Sequence, residues 1–246
     1  MTAGNAARPD FLLRHLGLAL PVVALLLALE TTNLDATISG WFFDAASGRF
    51  PLRYNAAFEI MAHQWAKYVV VLIACSAIAA WLVSFVLPAL VGHRRILLFL
   101  SLALTLAPAT VSFLKSVSSR SCPYDLVEYG GHAPRLGLLE AAPQGEFPGH
   151  CFPSGHASAG FCLLAFYFAG RALGSRRLAL AGLWGGLAAG MLFGLARIAQ
   201  GAHFLSHNLW SALVCWLVIL ALYVAIMGSP KGATAASAPG SSFAPD

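Results

Sequence analysis

Long apolar stretches without charged residues recur along this sequence, and they constrain its fold more than any other feature. The predicted membrane spans cover about residues 12–29, 66–91, 96–114, 155–170, 178–196 and 207–227. A helix that crosses the hydrocarbon core needs about 20 mostly apolar residues. Only 10% of the 246 residues are charged and 59% are hydrophobic, so a soluble surface could not be built around them. We therefore predict an all-α, polytopic membrane protein with six transmembrane helices.

The spans define a single predicted membrane domain, residues 1–227, followed by a tail. The tail, Gly228–Asp246, is rich in Gly, Ala, Ser and Pro and is predicted to be flexible. The first span is the weakest, because its apolar run Leu16–Leu29 is short and follows Arg14, as in a signal peptide. The segment before Glu30 lacks a clear small-residue cleavage site, so a retained helix is favoured.

Charged residues divide between the two sides of the predicted bundle. One side carries the cations Arg8, Arg14, Arg94, Arg95, Arg171, Arg176, Arg177 and Lys231. The other side carries the acids Glu30, Asp35, Asp44, Glu59, Asp125, Glu128, Glu140 and Glu146. The positive-inside rule then places both termini in the cytoplasm and the loops at about 31–65 and 115–154 outside. We expect a bacterial inner-membrane protein, with these loops in the periplasm.

The net charge of +5 reflects this orientation. Nucleic-acid binding is not expected, because no Lys/Arg run interleaves with aromatic residues. The expected partners are the bilayer and a lipid substrate, with no obligatory protein partner.

Three polar segments fall on the outer face and share a chemistry suited to phosphate. They are Lys115–Pro123, Phe152–His156 and Arg197–His207. The cations Lys115, Arg120 and Arg197 could neutralise a phosphate, and an arginine can hold two of its oxygens. Ser154 and Gly155, at a predicted helix start, could offer backbone N–H groups to the same anion. The three segments together predict a site for a phosphorylated ligand at the outer membrane edge.

Two histidines in these segments have side chains suited to phosphoryl transfer. A neutral imidazole such as His203 can attack phosphorus and hold the phosphoryl group covalently. A second histidine, His156, can protonate the leaving oxygen, since its ordinary pKa lies near the working pH. Fixed cations compensate the developing charge. We therefore expect phosphoryl hydrolysis or transfer without a metal or other cofactor.

These segments resemble the type 2 phosphatidic acid phosphatase superfamily of membrane lipid phosphatases. That family reads Lys-x6-Arg-Pro, then Pro-Ser-Gly-His, then Ser-Arg-x5-His-x3-Asp, on a six-helix membrane core. Pro153–His156 matches the second motif in full, and Arg197 and His203 keep the spacing of the third. Lys115 and Pro123 match the first. The resemblance implies a lipid phosphate or pyrophosphate substrate, such as undecaprenyl pyrophosphate, lipid A or phosphatidylglycerol phosphate.

The resemblance covers about residues 66–227 and implies a role for each matching position. His203 would be the nucleophile, His156 the general acid and His207 the partner that orients the nucleophile. The phosphate clamp would consist of Lys115, Arg120, Arg197, Ser154 and Gly155. Water or an acceptor lipid hydroxyl could resolve the phosphohistidine, so a phosphatase and a phosphotransferase are both open.

The chain departs from the family motifs at three positions. Ala196 stands in place of Ser, Cys122 in place of Arg and His207 in place of Asp. Arg120 is the nearest replacement for the missing arginine. His207 can accept a hydrogen bond but stabilises a charged imidazole poorly compared with a carboxylate. Asp125 or Glu128 could supply the missing carboxylate. These losses support the alternative function, a noncatalytic lipid-phosphate binding or transport protein.

Cysteine and histidine positions raise two further possibilities. Cys122 and Cys151 lie in the outer loop beside motif segments, where the periplasm favours disulfides and a Cα separation of ~4.4–6.8 Å would allow one. Such a bridge would contribute ~3–4 kcal/mol, and two unlinked thiols are the alternative. Zinc at His203 and His207 is less favoured, because Phe204 stands where the zinc-protease pattern needs glutamate.

Overall fold

The described part of the molecule is helical throughout. The computed structural model describes residues 9–60, 64, 66–144 and 148–228. Within those ranges no strand is assigned, and the β-type contacts are the isolated bridges Asp44–Arg49 and Leu126–Ala133. The predicted tail lies outside the described residues beyond Gly228. The predicted all-α class is confirmed.

The described residues form ten α-helices. The helices are α1 (Pro9–Gly17), α2 (Ala19–Glu30), α3 (Leu34–Gly40), α4 (Ala56–Glu59), α5 (Ala66–Val83), α6 (Arg94–Ser116), α7 (Gly155–Phe161), α8 (Ala165–Ala172), α9 (Arg176–Ala199) and α10 (Leu205–Met227). Short 3-10 helices cover Pro51–Tyr54, Pro88–His93, Pro123–Asp125, Val127–Tyr129 and Cys162–Leu164. The last of these joins α7 to α8.

Four helices of the described chain are long and apolar enough to cross a membrane. They are Asp10–Glu30, Pro88–Ser116, Arg176–Ala199 and Leu205–Met227, and each contains one predicted span. The predicted span 66–91 instead holds the shorter apolar helix Lys67–Val83, after which Pro88 begins a new turn. The predicted span 155–170 coincides with α7, α8 and their 3-10 join. A membrane protein is confirmed, and the count of six spans stays a prediction.

The core lies where α6, α7, α8 and α10 meet. Its largest fully buried side chains include Phe99, Phe161, Phe168 and Ile219. Large apolar side chains on the outer faces remain exposed, for example Leu72 and Trp184, as expected for surfaces that contact lipid. The N-terminal helices join this bundle, because α2 packs on α10 through Leu26.

A row of glycines on α9 lets two helices approach closely. Gly182, Gly186, Gly190 and Gly194 recur every four residues and therefore share one helix face. A Cβ on Gly190 would lie 2.2 Å from the Phe161 ring, and one on Gly182 would lie 2.3 Å from the Tyr167 backbone nitrogen. The glycines thus fix the separation between α9 and the α7–α8 segment, which carry Arg197 and His156.

We expect Gly190→Ala to destabilise the fold, because the added methyl overlaps Phe161. The free energy of unfolding in detergent should fall by about 1–3 kcal/mol, the usual cost of overpacking. Gly185→Ala is the matched control, since a Cβ there meets nothing within 4 Å. Equal unfolding midpoints for the two variants would contradict the close approach of α9 to Phe161.

The segments that carry Phe50 and Tyr129 pack together over the N-terminus of α10. Phe50, Leu126, Tyr129 and Phe204 form a small buried cluster there. The buried Asp35 carboxylate accepts hydrogen bonds from the backbone N–H of Ser206, at 2.9 Å, and from its hydroxyl. A carboxylate at a helix N-terminus satisfies free N–H groups and suits the helix dipole. These contacts hold the helix end that carries the candidate catalytic histidines.

Candidate active site

A cavity of about 570 Å³ lies between α5, α6, α7 and the connection from α9 to α10. Its polar lining includes Lys67, Lys115, His156, Arg197 and His203. Its apolar lining comes largely from α5 and α6 and includes Val70, Val71, Ala74, Ile78, Leu104 and Pro108. Gly155 also lines it. Residues from all three sequence motifs therefore line one cavity. One part of its lining is cationic and the other part is apolar.

A turn at Gly201 sets the spacing between Arg197 and His203. Gly201 has a positive φ of 67°, its N–H donates to Ile198 O, and the Ala202 N–H donates to Arg197 O, both at 2.8 Å. This pair of bonds is the Schellman arrangement that ends a helix. Only glycine takes the position at low cost, since its φ is left-handed and a Cβ would also lie 2.3 Å from Phe50.

His203, two residues before α10, contacts His207 in the first turn of that helix. Their Nδ1 atoms lie 3.4 Å apart, and both rings are buried. A neutral imidazole has one N–H and one acceptor nitrogen, so one ring donates to the other. When His203 Nδ1 donates, its Nε2 keeps a lone pair. Among the described residues, His207 Nε2 has no hydrogen-bond partner.

Burial keeps the His203 imidazole neutral. It lowers the pKa of His203 well below the ordinary 6.5, and the nearby charges of Lys115, Arg197 and His156 lower it further, against a smaller opposing effect from the Cys151 backbone. A neutral ring at physiological pH is the form that can act as a nucleophile. The positive charges of Lys115 and Arg197 also disfavour a proton on the His203 ring nitrogen that faces them. That nitrogen is therefore expected to carry the lone pair.

Arg197 is oriented by a polar triad. Its Nη1 donates to Gln200 Oε1 at 2.6 Å and to Glu59 Oε2 at 3.2 Å, and Gln200 Nε2 donates to the same Glu59 oxygen at 2.8 Å. Glu59 is the last residue of α4, whereas Arg197 lies in the last turn of α9. The α4 segment therefore positions one of the cations that line the cavity.

The predicted Cys122–Cys151 disulfide is confirmed. The two Cα atoms lie 5.2 Å apart, and the bridge fastens the Lys115–Pro123 segment to the start of the Phe152–His156 segment. Cys151 Sγ also lies 3.6 Å from His203 Nδ1 and 2.9 Å from Ala202 O. An oxidised sulfur carries no proton to donate, so both approaches are packing contacts.

The site geometry can now be set beside known families. The family model described as the PAP2 superfamily matches residues 96–230, which is more than half of the chain. This chain belongs to the PAP2 superfamily. No curated protein and no solved structure matches it. The predicted family is confirmed, and it supports an enzyme of the phosphatase or phosphotransferase class that acts on phosphate esters.

Arg120 departs from the clamp role predicted for it in this PAP2 protein. Its Nη1 and Nη2 donate to the two oxygens of Glu30 at 2.9 and 3.1 Å, and its guanidinium lies 5.0 Å from the Phe152 ring centre. Arg120 is only 6% exposed and is not among the residues that line the cavity. A two-pronged ion pair with a carboxylate leaves little of the guanidinium for phosphate.

Ser154 also serves the fold through the groups predicted to bind phosphate. Its hydroxyl accepts a bond from the Ala157 N–H at 3.4 Å and so caps α7. Its own N–H donates to His207 O at 3.2 Å. Both groups thus have protein partners, and the second one ties α7 to the α10 histidine. Gly155, the next residue, does line the cavity.

The predicted replacement carboxylates lie away from the histidine pair. Glu128 lies 3.7 Å from Arg135. Burial raises the pKa of Asp125, against the charges of Arg53 and His132. In the contacts of the described residues, neither carboxylate reaches His203, and His207 is the group that does.

Sequence reasoning missed four residues that shape the site. Lys67 lines the cavity, Glu59 and Gln200 hold Arg197, and Asp35 caps α10. Gln200 follows Arg197 by about one helical turn and Lys67 is a lone cation at the start of a predicted span, so the sequence could have indicated both. Glu59 and Asp35 lie in the segment between the first two predicted spans, which has no readable motif.

The contrast between Arg120 and Lys115 gives a matched pair of variants. Arg120→Met leaves the Glu30 carboxylate unpaired and should lower the free energy of unfolding by about 3 kcal/mol, since both side chains are largely buried. The KM of the remaining folded enzyme should be little changed. Lys115→Met should instead raise KM at least about tenfold with a small effect on stability, because it removes charge from the cavity. A raised KM with an unchanged free energy of unfolding in the Arg120 variant would show instead that Arg120 binds the phosphate.

Proposed function

We propose that this protein hydrolyses or transfers a phosphoryl group of a membrane lipid phosphate or pyrophosphate through a phosphohistidine at His203. The observation that carries the proposal is the single cavity lined by both the cation–histidine group and an apolar surface of α5 and α6. An amphipathic substrate matches such a lining, since its phosphate needs cations and its hydrocarbon needs apolar contact. Undecaprenyl pyrophosphate, lipid A and phosphatidylglycerol phosphate all have this character.

The proposed reaction proceeds in two displacements. Lys115 and Arg197 hold the non-bridging oxygens while His203 Nε2 attacks phosphorus and the bond to the leaving oxygen breaks. His156 gives its proton to that oxygen. Neutral His156 then takes a proton from water, which attacks the phosphohistidine and releases phosphate. An acceptor hydroxyl in place of water gives transfer.

His207 is proposed to orient the nucleophile in this reaction. By accepting the Nδ1–H of His203, it keeps the Nε2 lone pair available for attack. A family aspartate would do this with a full negative charge, which also stabilises the cationic ring formed during attack. His207 supplies the orientation without that charge.

The proposed setting is the bacterial inner membrane, with both termini in the cytoplasm and the cavity at the periplasmic face. The charge asymmetry of the loops supports this orientation. The Cys122–Cys151 disulfide supports it independently, because such bonds persist in an oxidising compartment. We further propose six spans within one domain, residues 1–227, and catalysis without metal or cofactor.

A noncatalytic lipid-phosphate binder or transporter is the second candidate. It is favoured by one observation, the absence of a carboxylate in contact with His203 in the described structure. Both functions require the cavity, but only the enzyme forms a bond to His203. Phosphate release from pyrophosphoryl lipids, without added metal, separates them.

The covalent intermediate gives the main test. Brief incubation of purified protein with a ³²P-labelled lipid phosphate should give an acid-labile label on the wild type. His203→Ala should lose both label and turnover, because the nucleophile is gone. His156→Ala should lose turnover through loss of the proton donor, while both variants still insert and fold. Labelling that persists in His203→Ala would remove this residue as nucleophile.

The His207 position gives a second test. His207→Asp should keep or raise activity, because the carboxylate accepts the same hydrogen bond and adds charge. His207→Ala should lower kcat by about 10²-fold or more, on the scale of general-base contributions. The comparison is made on kcat, with the unfolding midpoint as the control for folding. Full activity in the alanine variant would show that another group orients His203.

A further inference from the structure

Three metal-ligand atoms converge behind the cavity, at the inner side of His203. Cys151, His203 and His207 each offer a ligand atom, and these atoms all lie within 4.8 Å of one another. All three residues are buried, with exposed fractions of 0%, 3% and 0%. This cluster is distinct from the cations that face the phosphate.

Two of the three separations match those of a tetrahedral zinc ion, and the third, between His207 and Cys151, is within 4.8 Å. With Zn–N of about 2.05 Å and Zn–S of about 2.3 Å, tetrahedral angles place two nitrogens about 3.4 Å apart and a nitrogen and sulfur about 3.6 Å apart. The structure has 3.4 Å between the two Nδ1 atoms and 3.6 Å between His203 Nδ1 and Cys151 Sγ. A soft thiolate with two imidazoles is a ligand set that suits zinc.

The disulfide controls whether this ligand set exists. While Cys151 is bonded to Cys122, its sulfur is not a thiolate and two histidines remain. A dithiol reductant transfers two electrons and two protons to the bridge, giving the Cys122 and Cys151 thiols and an oxidised reductant. Zinc then displaces the Cys151 thiol proton, as metal binding to cysteine requires. We propose that reduction of the Cys122–Cys151 disulfide opens an inhibitory zinc site formed by Cys151, His203 and His207.

Zinc at this position would stop the reaction through His203. Zinc takes the Nδ1 lone pair, and the neutral ring then carries its proton on Nε2, which can no longer attack phosphorus. It also removes the Nδ1–H that His207 accepts. The inhibitory effect rests on the proposed function, whereas the binding itself does not.

Cobalt binding tests the site directly. The full-length protein in detergent is reduced with a phosphine, freed of reductant and titrated with Co²⁺ alone. Reduced wild type is expected to bind one equivalent, with the absorption of a tetrahedral ion and a thiolate-to-cobalt charge-transfer band. Added Zn²⁺ should displace it. Oxidised wild type should show neither band. A tetrahedral thiolate spectrum from the oxidised protein would show that the disulfide does not control the site.

Two cysteine variants form the matched control. Cys122→Ser and Cys151→Ser break the same disulfide and keep the same three other cysteines, but only the first retains the proposed ligand. Cys122→Ser is expected to bind cobalt without reduction, and Cys151→Ser is not. His207→Ala should weaken binding at least about tenfold. Equal spectra from the two cysteine variants, or no binding by reduced wild type with native helicity, would overturn the site.

Activity supplies the second readout. Saturating Zn²⁺ should lower the turnover of reduced wild type at least tenfold and leave oxidised wild type unchanged. Thiolate-bound cobalt together with undiminished turnover would overturn the inhibitory role. If no form of the protein turns over lipid phosphates, the proposed enzyme fails, but the cobalt spectra still decide the metal site.

Discussion

The contact between the Nδ1 atoms of His203 and His207 is the interaction on which the candidate site depends. At 3.4 Å in a buried environment, it links the protonation state of one ring to that of the other. Burial and nearby cations lower the pKa of His203, and the same cations favour a lone pair toward the cavity. A neutral ring with its proton held on the inner nitrogen is what nucleophilic attack requires. In the proposed mechanism, His207 takes the place of the family aspartate.

Much of the surrounding structure serves to place those two rings. The turn at Gly201 sets His203 relative to Arg197, and Asp35 satisfies the start of the helix that carries His207. The disulfide packs Cys151 against the back of His203. Glycines on α9 bring its helix close to the segment that carries His156. Backbone turns, side-chain hydrogen bonds and the disulfide together hold the two rings in place.

The sequence predicted features that depend on local pattern and missed those that depend on distant partners. Apolar run length located the long helices, and motif spacing located Lys115, His156, Arg197 and His203, because each signal is contained in neighbouring residues. The pairing of Arg120 with Glu30 was not foreseen, because Glu30 lies ninety positions away. Asp35 and Glu59 were missed for the same reason. Ser154 was assigned to phosphate although helix capping already uses its hydroxyl.

The protonation of His203 is the property that tests this account most directly. Nitrogen NMR of detergent-solubilised protein with ¹⁵N-labelled histidine reports both the charge of each ring and which nitrogen carries the proton. The His203 signals can be assigned by their loss in His203→Gln. Because its pKa lies below the ordinary 6.5, His203 is expected to be neutral at pH 6.5 and to stay neutral as the pH falls further, with its proton on Nδ1. A charged His203 ring at pH 6.5, or a neutral ring protonated on Nε2, would contradict the account.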